Sequence, residues 1–217
     1  MMKKEISLKD AVAMIKDGSS IMIGGFLGCG SASQIIDALV ESGVKDLTII
    51  CNDTVFDGKG WSKLIENNQV KEIYASYIGG SKASIQYMNE GKLKMNIVPQ
   101  GTLAERIRAK GAGLGGILTP TGVGTVVEEG KQKINIEGKD YLLELPLGAD
   151  FALIHGTKVD EEGNVFYRGT TKNFNPMMAQ AASTVIVEAE QIVKVGEIEP
   201  EEVHTPALFV DYIYVEK

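Results

Sequence analysis

The 217-residue chain holds only two cysteines, Cys29 and Cys51, and only two histidines, His155 and His204. Two thiols make no disulfide framework, so a reducing cytoplasm is the expected location. The histidines lie far apart in the chain without spaced acidic or thiol partners, so no metal is expected and each reads as an ordinary structural histidine. No apolar run reaches the length of a membrane span, and the start Met1-Met2-Lys3-Lys4-Glu5 has no apolar segment behind it. Neither a membrane partner nor a signal peptide is expected. Positive charge is not in excess. The formal net charge of −7 argues against nonspecific binding of nucleic acid or of anionic membranes.

Several fingerprints are missing too. A dinucleotide loop built on Gly28-Cys29-Gly30 would need a third glycine where Ser33 stands. No P-loop is present, and no Gly-x-Ser-x-Gly elbow presents a serine nucleophile. Internal repeats, low-complexity segments and linkers are absent as well, so one domain over residues 1–217 is the simplest organisation.

What is present begins with Ile21-Met22-Ile23-Gly24-Gly25-Phe26-Leu27-Gly28-Cys29-Gly30-Ser31, an apolar run that ends in a glycine-rich loop. Ile35, Ile36, Leu39 and Val40 then form a helical stripe, so the order reads strand, loop, helix. Glycines admit close approach of a ligand, and Ser31 is placed to cap the helix and leave its N-terminal N–H groups facing the crevice. A merely tight turn gives the same pattern. Ser7-Leu8-Lys9-Asp10 reads as a capping box before a helix that includes Leu8, Ala11, Val12 and Ile15. Leu47–Cys51 completes a βαβ unit. Further strands are expected at Glu72–Tyr77, Met95–Val98, Ala149–Ile154 and Thr184–Glu188. Helices are expected at Ser84–Asn89, Leu103–Ala109 and Met177–Ala182. Residues 111–130, crowded with glycine, read as an ordered irregular loop, and Lys133–Leu145 as a β-hairpin around Glu137-Gly138-Lys139-Asp140. The expected fold is α/β: an open, mostly parallel sheet with flanking helices in a Rossmann-like three-layer arrangement, with an added β-hairpin.

Ligands of open α/β sheets bind beyond the C-terminal ends of the strands. Asn52 and Gln100 each follow a predicted strand on the edge that carries the glycine loop. Neutral amides there donate to a carboxylate or thioester oxygen without adding a titrating group, or serve as plain strand-end caps. Cys29 is either a thiol activated near a helix start or a small residue filling a turn. The pairs Glu128-Glu129 and Glu161-Glu162 offer carboxylates, but each precedes a glycine in the manner of an exposed turn. Asn173-Phe174-Asn175-Pro176 reads as a helix entry rather than a ligand contact. No convincing nucleophile emerges.

The stretch Asp17–Phe26 with Gly30 resembles the N-terminal signature of family I coenzyme A transferases. The resemblance continues through Asn52-Asp53, Pro99-Gln100-Gly101-Thr102, Gly111–Gly116, Thr119-Pro120-Thr121-Gly122, Tyr141-Leu142-Leu143-Glu144 and Asn173-Phe174-Asn175-Pro176. It is similar to the α subunits of the acetate/acetoacetate and butyrate–acetoacetate type, within the 3-oxoacid CoA-transferases. Ala32 departs from the family's usual proline. The family's nucleophilic glutamate lies in a Ser-Glu-Asn-Gly motif on the β subunit, and Ile65-Glu66-Asn67-Asn68 is not that motif.

The resemblance therefore implies half an active site, catalytically active only with a β subunit in an α2β2 assembly. It implies CoA transfer between acetoacetyl-, butyryl- or acetyl-CoA and a short-chain carboxylic acid, by ping-pong chemistry through a glutamyl-CoA thioester. Gly24, Gly25, Phe26, Leu27, Gly28, Cys29 and Gly30 would contact CoA, and Asn52 and Gln100 would hold the acid's carboxylate and orient the glutamate. CoA enters as substrate, with no permanent cofactor. A noncatalytic acyl-CoA-binding or regulatory subunit and a sugar-phosphate isomerase are the rival readings.

Overall fold

Ser7 opens the first helix as its sequence predicts. Its Oγ accepts the Asp10 N–H at 3.1 Å and donates to the Asp10 carboxylate at 2.7 Å, starting α1 (Leu8–Met14). The computed structural model describes residues 4–215. Met1–Lys3 and Glu216–Lys217, which include part of the segment read for a signal peptide and both ends of the 1–217 span, lie outside the described residues.

Eight strands form the main sheet: β1 (Lys4–Glu5), β2 (Ser20–Ile23), β3 (Leu47–Cys51), β4 (Val70–Ala75), β5 (Lys94–Ile97), β9 (Ala149–Gly156), β12 (Ala182–Ala189) and β14 (Tyr212–Val215). Their spatial order is β1-β14-β12-β9-β2-β3-β4-β5, and every pairing is parallel. Alternation along the central strands divides the core in two, as the period-2 geometry of a strand requires. Ile21, Ile23, Ile49 and Leu153 face one cluster with Ile35, Ile36 and Leu39 of α2 (Ser33–Ser42) and Leu64 of α3 (Ser62–Glu66). Met22, Ile50, Ala152 and Ile154 face the other, with Leu103 and Ile107 of α5 (Gln100–Gly111) and Met178 of α6 (Asn175–Ala179). Helices thus cover both faces of the expected open parallel sheet. α4 (Lys82–Asn89) completes the α-helices among the described residues and is capped by Ser81. No helix among the described residues is long and apolar enough to cross a membrane.

The hairpin forms as β7 (Lys133–Ile136) and β8 (Lys139–Glu144), turning through Glu137 and Gly138, both at positive φ as a two-residue hairpin turn demands. It gains a third strand. Ile117–Thr119, inside the segment read as irregular, pairs with β8 as β6, so part of that glycine-rich stretch is sheet. A further small sheet, β11-β10-β13, joins Val165–Phe166, Lys158–Asp160 and Ile192–Val193. The helix expected at Met177–Ala182 begins and ends earlier, because Ala182 already pairs with Ala149 as the first residue of β12.

Register brings the C-terminal ends of the strands level. Ile23 lies opposite Cys51 and Leu153, and Ala75 opposite Ile97. The residues that follow these strands therefore share one edge, which is where the candidate site forms.

Candidate functional site

The glycine loop leaves β2 and is turned by its own backbone. Phe26 and Cys29 exchange two N–H···O bonds of 3.0 Å, closing a two-residue turn through Leu27 (φ 48°) and Gly28 (φ 86°). Two distant segments then clamp it. From one side, the Asn173 Oδ1 accepts the Gly25 N–H at 2.9 Å, and its Nδ2 donates to the Cys29 carbonyl at 3.1 Å. The Asn175 Nδ2 donates to the Gly30 carbonyl at 2.8 Å, while its Oδ1 accepts from the His155 N–H at 3.3 Å. From the other side, the Asp53 carboxylate accepts the Leu27 N–H at 2.9 Å.

Gly24 and Gly25 are buried by this arrangement, whereas Phe26, Leu27 and Cys29 are exposed at the tip. A Cβ on Gly24 would fall 1.7 Å from the Asn175 Oδ1, and one on Gly25 would meet the Trp61 ring at 3.0 Å. The motif Asn173–Pro176 is thus more than a helix entry: it holds the loop in place. Gly25 serves packing as well as any ligand, so its replacement by valine strains the fold along with the site.

The helix after the loop departs from expectation. Ser31 does not cap it; its hydroxyl turns back to the Gly28 carbonyl at 3.0 Å, and Ala32 occupies the cap position without a side-chain bond. The cap comes from across the sheet. Glu188 of β12, fully buried, accepts the Gln34 N–H at 3.1 Å and the Ile35 N–H at 2.8 Å. A buried carboxylate is stabilised at a helix N-terminus by the dipole and the unpaired N–H groups. The protein's own anion therefore fills the position read as open to a ligand.

Asn52 and Gln100 do come together. Asn52 follows β3, and Gln100 is the first residue of α5, after Pro99. The Gln100 Nε2 donates to the Asn52 Oδ1 at 2.7 Å, and the Asn52 Nδ2 donates to Asp53 at 2.8 Å. Because Asp53 also receives Leu27, a chain of hydrogen bonds runs from Gln100 through Asn52 and Asp53 to the loop tip. Asp53 is 1% exposed, and its other oxygen accepts the Val55 N–H at 2.8 Å. With both oxygens occupied it organises the site rather than attacking a substrate.

These residues line a cavity of about 340 Å³ with Phe26, Leu27, Phe56, Ser76 and Tyr77. Sequence reasoning missed Phe56 and Tyr77 as site residues. Tyr77 had a usable signal, since it closes an expected strand on this edge; Phe56, in a loop, had none. A larger cavity of about 620 Å³ opens elsewhere, beside Ser20, Ala149 and Ser183 at the strand starts. It contains none of the candidate residues, and its Asp150 is engaged by the Ser20 N–H and hydroxyl at 2.8 and 2.7 Å.

The remaining candidates stay apart from the site. Cys51 is buried, and burial with the nearby Asp53 charge pushes its thiol well up, leaving it inert. The Nδ1 of His204 accepts the Tyr167 N–H at 3.1 Å, and burial and Lys172 hold its imidazole below the usual histidine value. His155 lies 3.2 Å from Glu190. Glu128 pairs with Lys133 at 2.7 Å on the hairpin sheet. Among the described residues no cluster of three or more His, Cys, Asp or Glu side chains is arranged to hold a metal ion.

Relatives match the chain along almost its full length. The family model for coenzyme A transferase covers residues 6–216. The chain belongs to the coenzyme A transferase family. It is 54% identical to the acetoacetyl-CoA:acetate/butyrate CoA transferase alpha subunit of Clostridium acetobutylicum, over 100% of this chain and 99% of that one. It is 48% identical to the acetate CoA-transferase subunit alpha of Escherichia coli K12, over 99% and 98%.

Among solved structures, the acyl-CoA transferase YdiF of E. coli O157:H7, in a thioester complex with CoA, superposes with a TM-score of 0.88 at 24% identity. That match covers 99% of this chain but 47% of YdiF, so the chain spans about half the length of that relative. Glutaconate coenzyme A-transferase of Acidaminococcus fermentans gives a TM-score of 0.86 at 22% identity, covering 98% and 75%. At such identities the structures establish the fold. The sequence relatives make the chain a family I CoA-transferase α subunit, of an enzyme class that uses CoA thioesters.

Proposed function

We propose that this α subunit, acting as one domain over residues 1–217, works with a β subunit to move CoA between a short-chain acyl-CoA and a free carboxylic acid. The acyl donors are acetoacetyl-, butyryl- or acetyl-CoA. The observation that carries the reading is the cavity in which the exposed loop tip meets the Gln100–Asn52 pair, where the one carboxylate among the described lining residues, Asp53, has both oxygens engaged. A partner therefore supplies the attacking carboxylate.

A glutamate of the β subunit attacks the acyl-CoA carbonyl carbon, the C–S bond breaks, and a mixed anhydride and CoA thiolate result. The thiolate attacks the glutamyl carbonyl of the anhydride, forming a glutamyl-CoA thioester and releasing the first acid as carboxylate. An incoming carboxylate runs the same steps backwards and leaves as the new acyl-CoA. In each addition a carbonyl oxygen becomes negative. Gln100 has a second N–H beyond the one given to Asn52, and Asn52 fixes the orientation of that amide. A preorganised neutral donor of this kind stabilises an oxyanion without reorganising during the reaction. Phe26, Leu27, Gly28 and Cys29 at the tip border the path of the CoA arm, with Gly24, Gly25 and Gly30 holding the backbone beneath. The assembly is α2β2, cytoplasmic, with no permanent cofactor.

The test is an assay with acetoacetyl-CoA and acetate, first on the chain alone and then with a β subunit carrying Ser-Glu-Asn-Gly. No turnover alone and full turnover in the complex is the expected result. Turnover by the chain alone would overturn the division of labour. Acyl-CoA binding with no gain on adding the partner would make it a noncatalytic binding subunit.

A further inference from the structure

Four large hydrophobic side chains stand exposed around the same cavity: Phe26 at 43%, Leu27 at 40%, Phe56 at 49% and Tyr77 at 53%. Phe56 reaches the rim through an unfavourable backbone. Val55 before it adopts φ 57°, a left-handed conformation that β-branched residues rarely enter. That conformation is over-determined. Val55 is 2% exposed, and its N–H is held by Asp53. A Cβ on Gly80 would come within 2.3 Å of the Val55 carbonyl oxygen, so the chain at residue 80 also closes against this corner. Strain maintained in this way at a cavity points to a positioning task. Tyr77 stands on the neighbouring strand end, where Asp53 and Tyr77 form a parallel bridge.

The charge of the lining is equally specific. No lysine, arginine or histidine lines the cavity; its one ionisable acid is Asp53. On this chain's side of the site, a second carboxylate on a bound acid would meet no cation and would approach Asp53.

We propose that Phe56 and Tyr77, with Phe26 and Leu27, are the wall that holds the acyl group, and that this wall selects short apolar monocarboxylic acids and rejects dicarboxylic ones. The inference rests on the CoA-transferase reading above and adds the side chains that choose among its acids. Gln100 holds the reacting carboxylate, and the aromatic wall takes the hydrocarbon. Each methylene buried against such a wall is worth about 10-fold or more in kcat/KM.

The experiment measures kcat/KM for acetate, butyrate and succinate in the complex with its β subunit, for the wild type and for Phe56→Ala, Phe56→Leu and Tyr77→Ala. The melting temperature of each variant is recorded to show that it is folded. The wild type is expected to use butyrate about 100-fold better than succinate, by the discrimination that an unpaired buried charge imposes. Phe56→Ala and Tyr77→Ala should lower kcat/KM for butyrate about 10-fold while changing acetate little, and Phe56→Leu should restore most of the loss. Equal losses on acetate and butyrate, or succinate used as well as butyrate, would overturn the proposal. A complex that transfers CoA to none of the three acids would instead overturn the functional reading, and the wall would fall with it.

Discussion

The chain contains two glycine-rich regions, and they are held differently. In residues 24–30, Gly24, Gly25 and Gly30 stand where something already occupies the space for a side chain, and Gly28 where φ is 86°. A Cβ at Gly24 or Gly30 would lie 1.7 Å from the Asn175 Oδ1 or 2.6 Å from the Thr171 carbonyl oxygen. In residues 111–130 the glycines are mixed: a Cβ at Gly111, Gly116 or Gly122 would lie 2.7, 2.9 or 2.6 Å from Gln180, Glu144 or Val127, whereas Gly113, Gly115, Gly124 and Gly130 have nothing within 4 Å of such an atom. That region is stitched by local bonds, such as the Gly124 N–H to Glu128 at 2.7 Å and the Thr125 hydroxyl to the Gly122 carbonyl at 2.8 Å. Glycine density alone therefore does not mark a ligand loop. What sets the first loop apart is that distant amide side chains, those of Asn173 and Asn175, hydrogen-bond across its backbone.

The sharpest way to break this comparison is Gly24→Ala. The new methyl displaces Asn175, whose amide bonds to Gly30 and Thr171 then fail. Overpacking with the loss of buried hydrogen bonds should cost about 3 kcal/mol or more of stability, and activity in the complex should disappear with the clamp. Denaturant unfolding of the chain measures the first effect; a change under about 1 kcal/mol would show that the loop yields where it is described as clamped.

Gln100→Ala separates function from packing in the same region. Its side chain is exposed and touches the clamp only through Asn52. Turnover should fall about a hundred- to a thousandfold, the cost of losing one preorganised oxyanion donor. Stability should fall by only about 1 kcal/mol, because the buried Asn52 loses the donor to its Oδ1 while the rest of the clamp is untouched. Trapping the glutamyl-CoA intermediate shows which half-reaction slows; formation and discharge at the wild-type rate would reduce Gln100 to a strand-end cap.

Gly115→Ala in the second region is the mildest test. No atom crowds the position, and its φ lies outside the left-handed range. Stability should stay within about 0.5 kcal/mol of the wild type or rise slightly, because alanine restricts the unfolded chain more than glycine does. Thermal unfolding checks it, and a loss as large as that at Gly24 would erase the contrast between the two regions.

Much of this was legible in the chain before any coordinates. The apolar runs at Ile21–Ile23, Leu47–Cys51, Ala149–Ile154 and Thr184–Glu188 predict the central strands, and all four are found in one parallel sheet. Burial on both faces selects such continuous apolar segments, so the pattern is local. The short strands at Lys4–Glu5 and Ile192–Val193 were not visible, because two residues carry no periodicity. Ile117–Thr119 was hidden by surrounding glycines, since it becomes a strand only through pairing with β8.

The site divides along the same line. That Asn52 and Gln100 share one edge was legible because each follows a strand of a parallel sheet, and that edge is where such sheets bind ligands. Their mutual hydrogen bond, 48 residues apart in sequence, was not. Ser31 illustrates the limit. Local chemistry favours it as the cap of α2, yet Glu188, 155 residues beyond Ser33, brings its carboxyl oxygens to the first N–H groups of the helix. A charged acceptor at a buried helix end outcompetes a hydroxyl, and no local rule reports its arrival. The sequence by itself determined the central strands, the sheet class and the family, because those depend on periodicity and on motifs of neighbouring residues. Tertiary structure alone decided which amides clamp the loop, which acid caps the helix and which aromatics face the cavity, because each depends on contacts that exist only after distant segments are packed together.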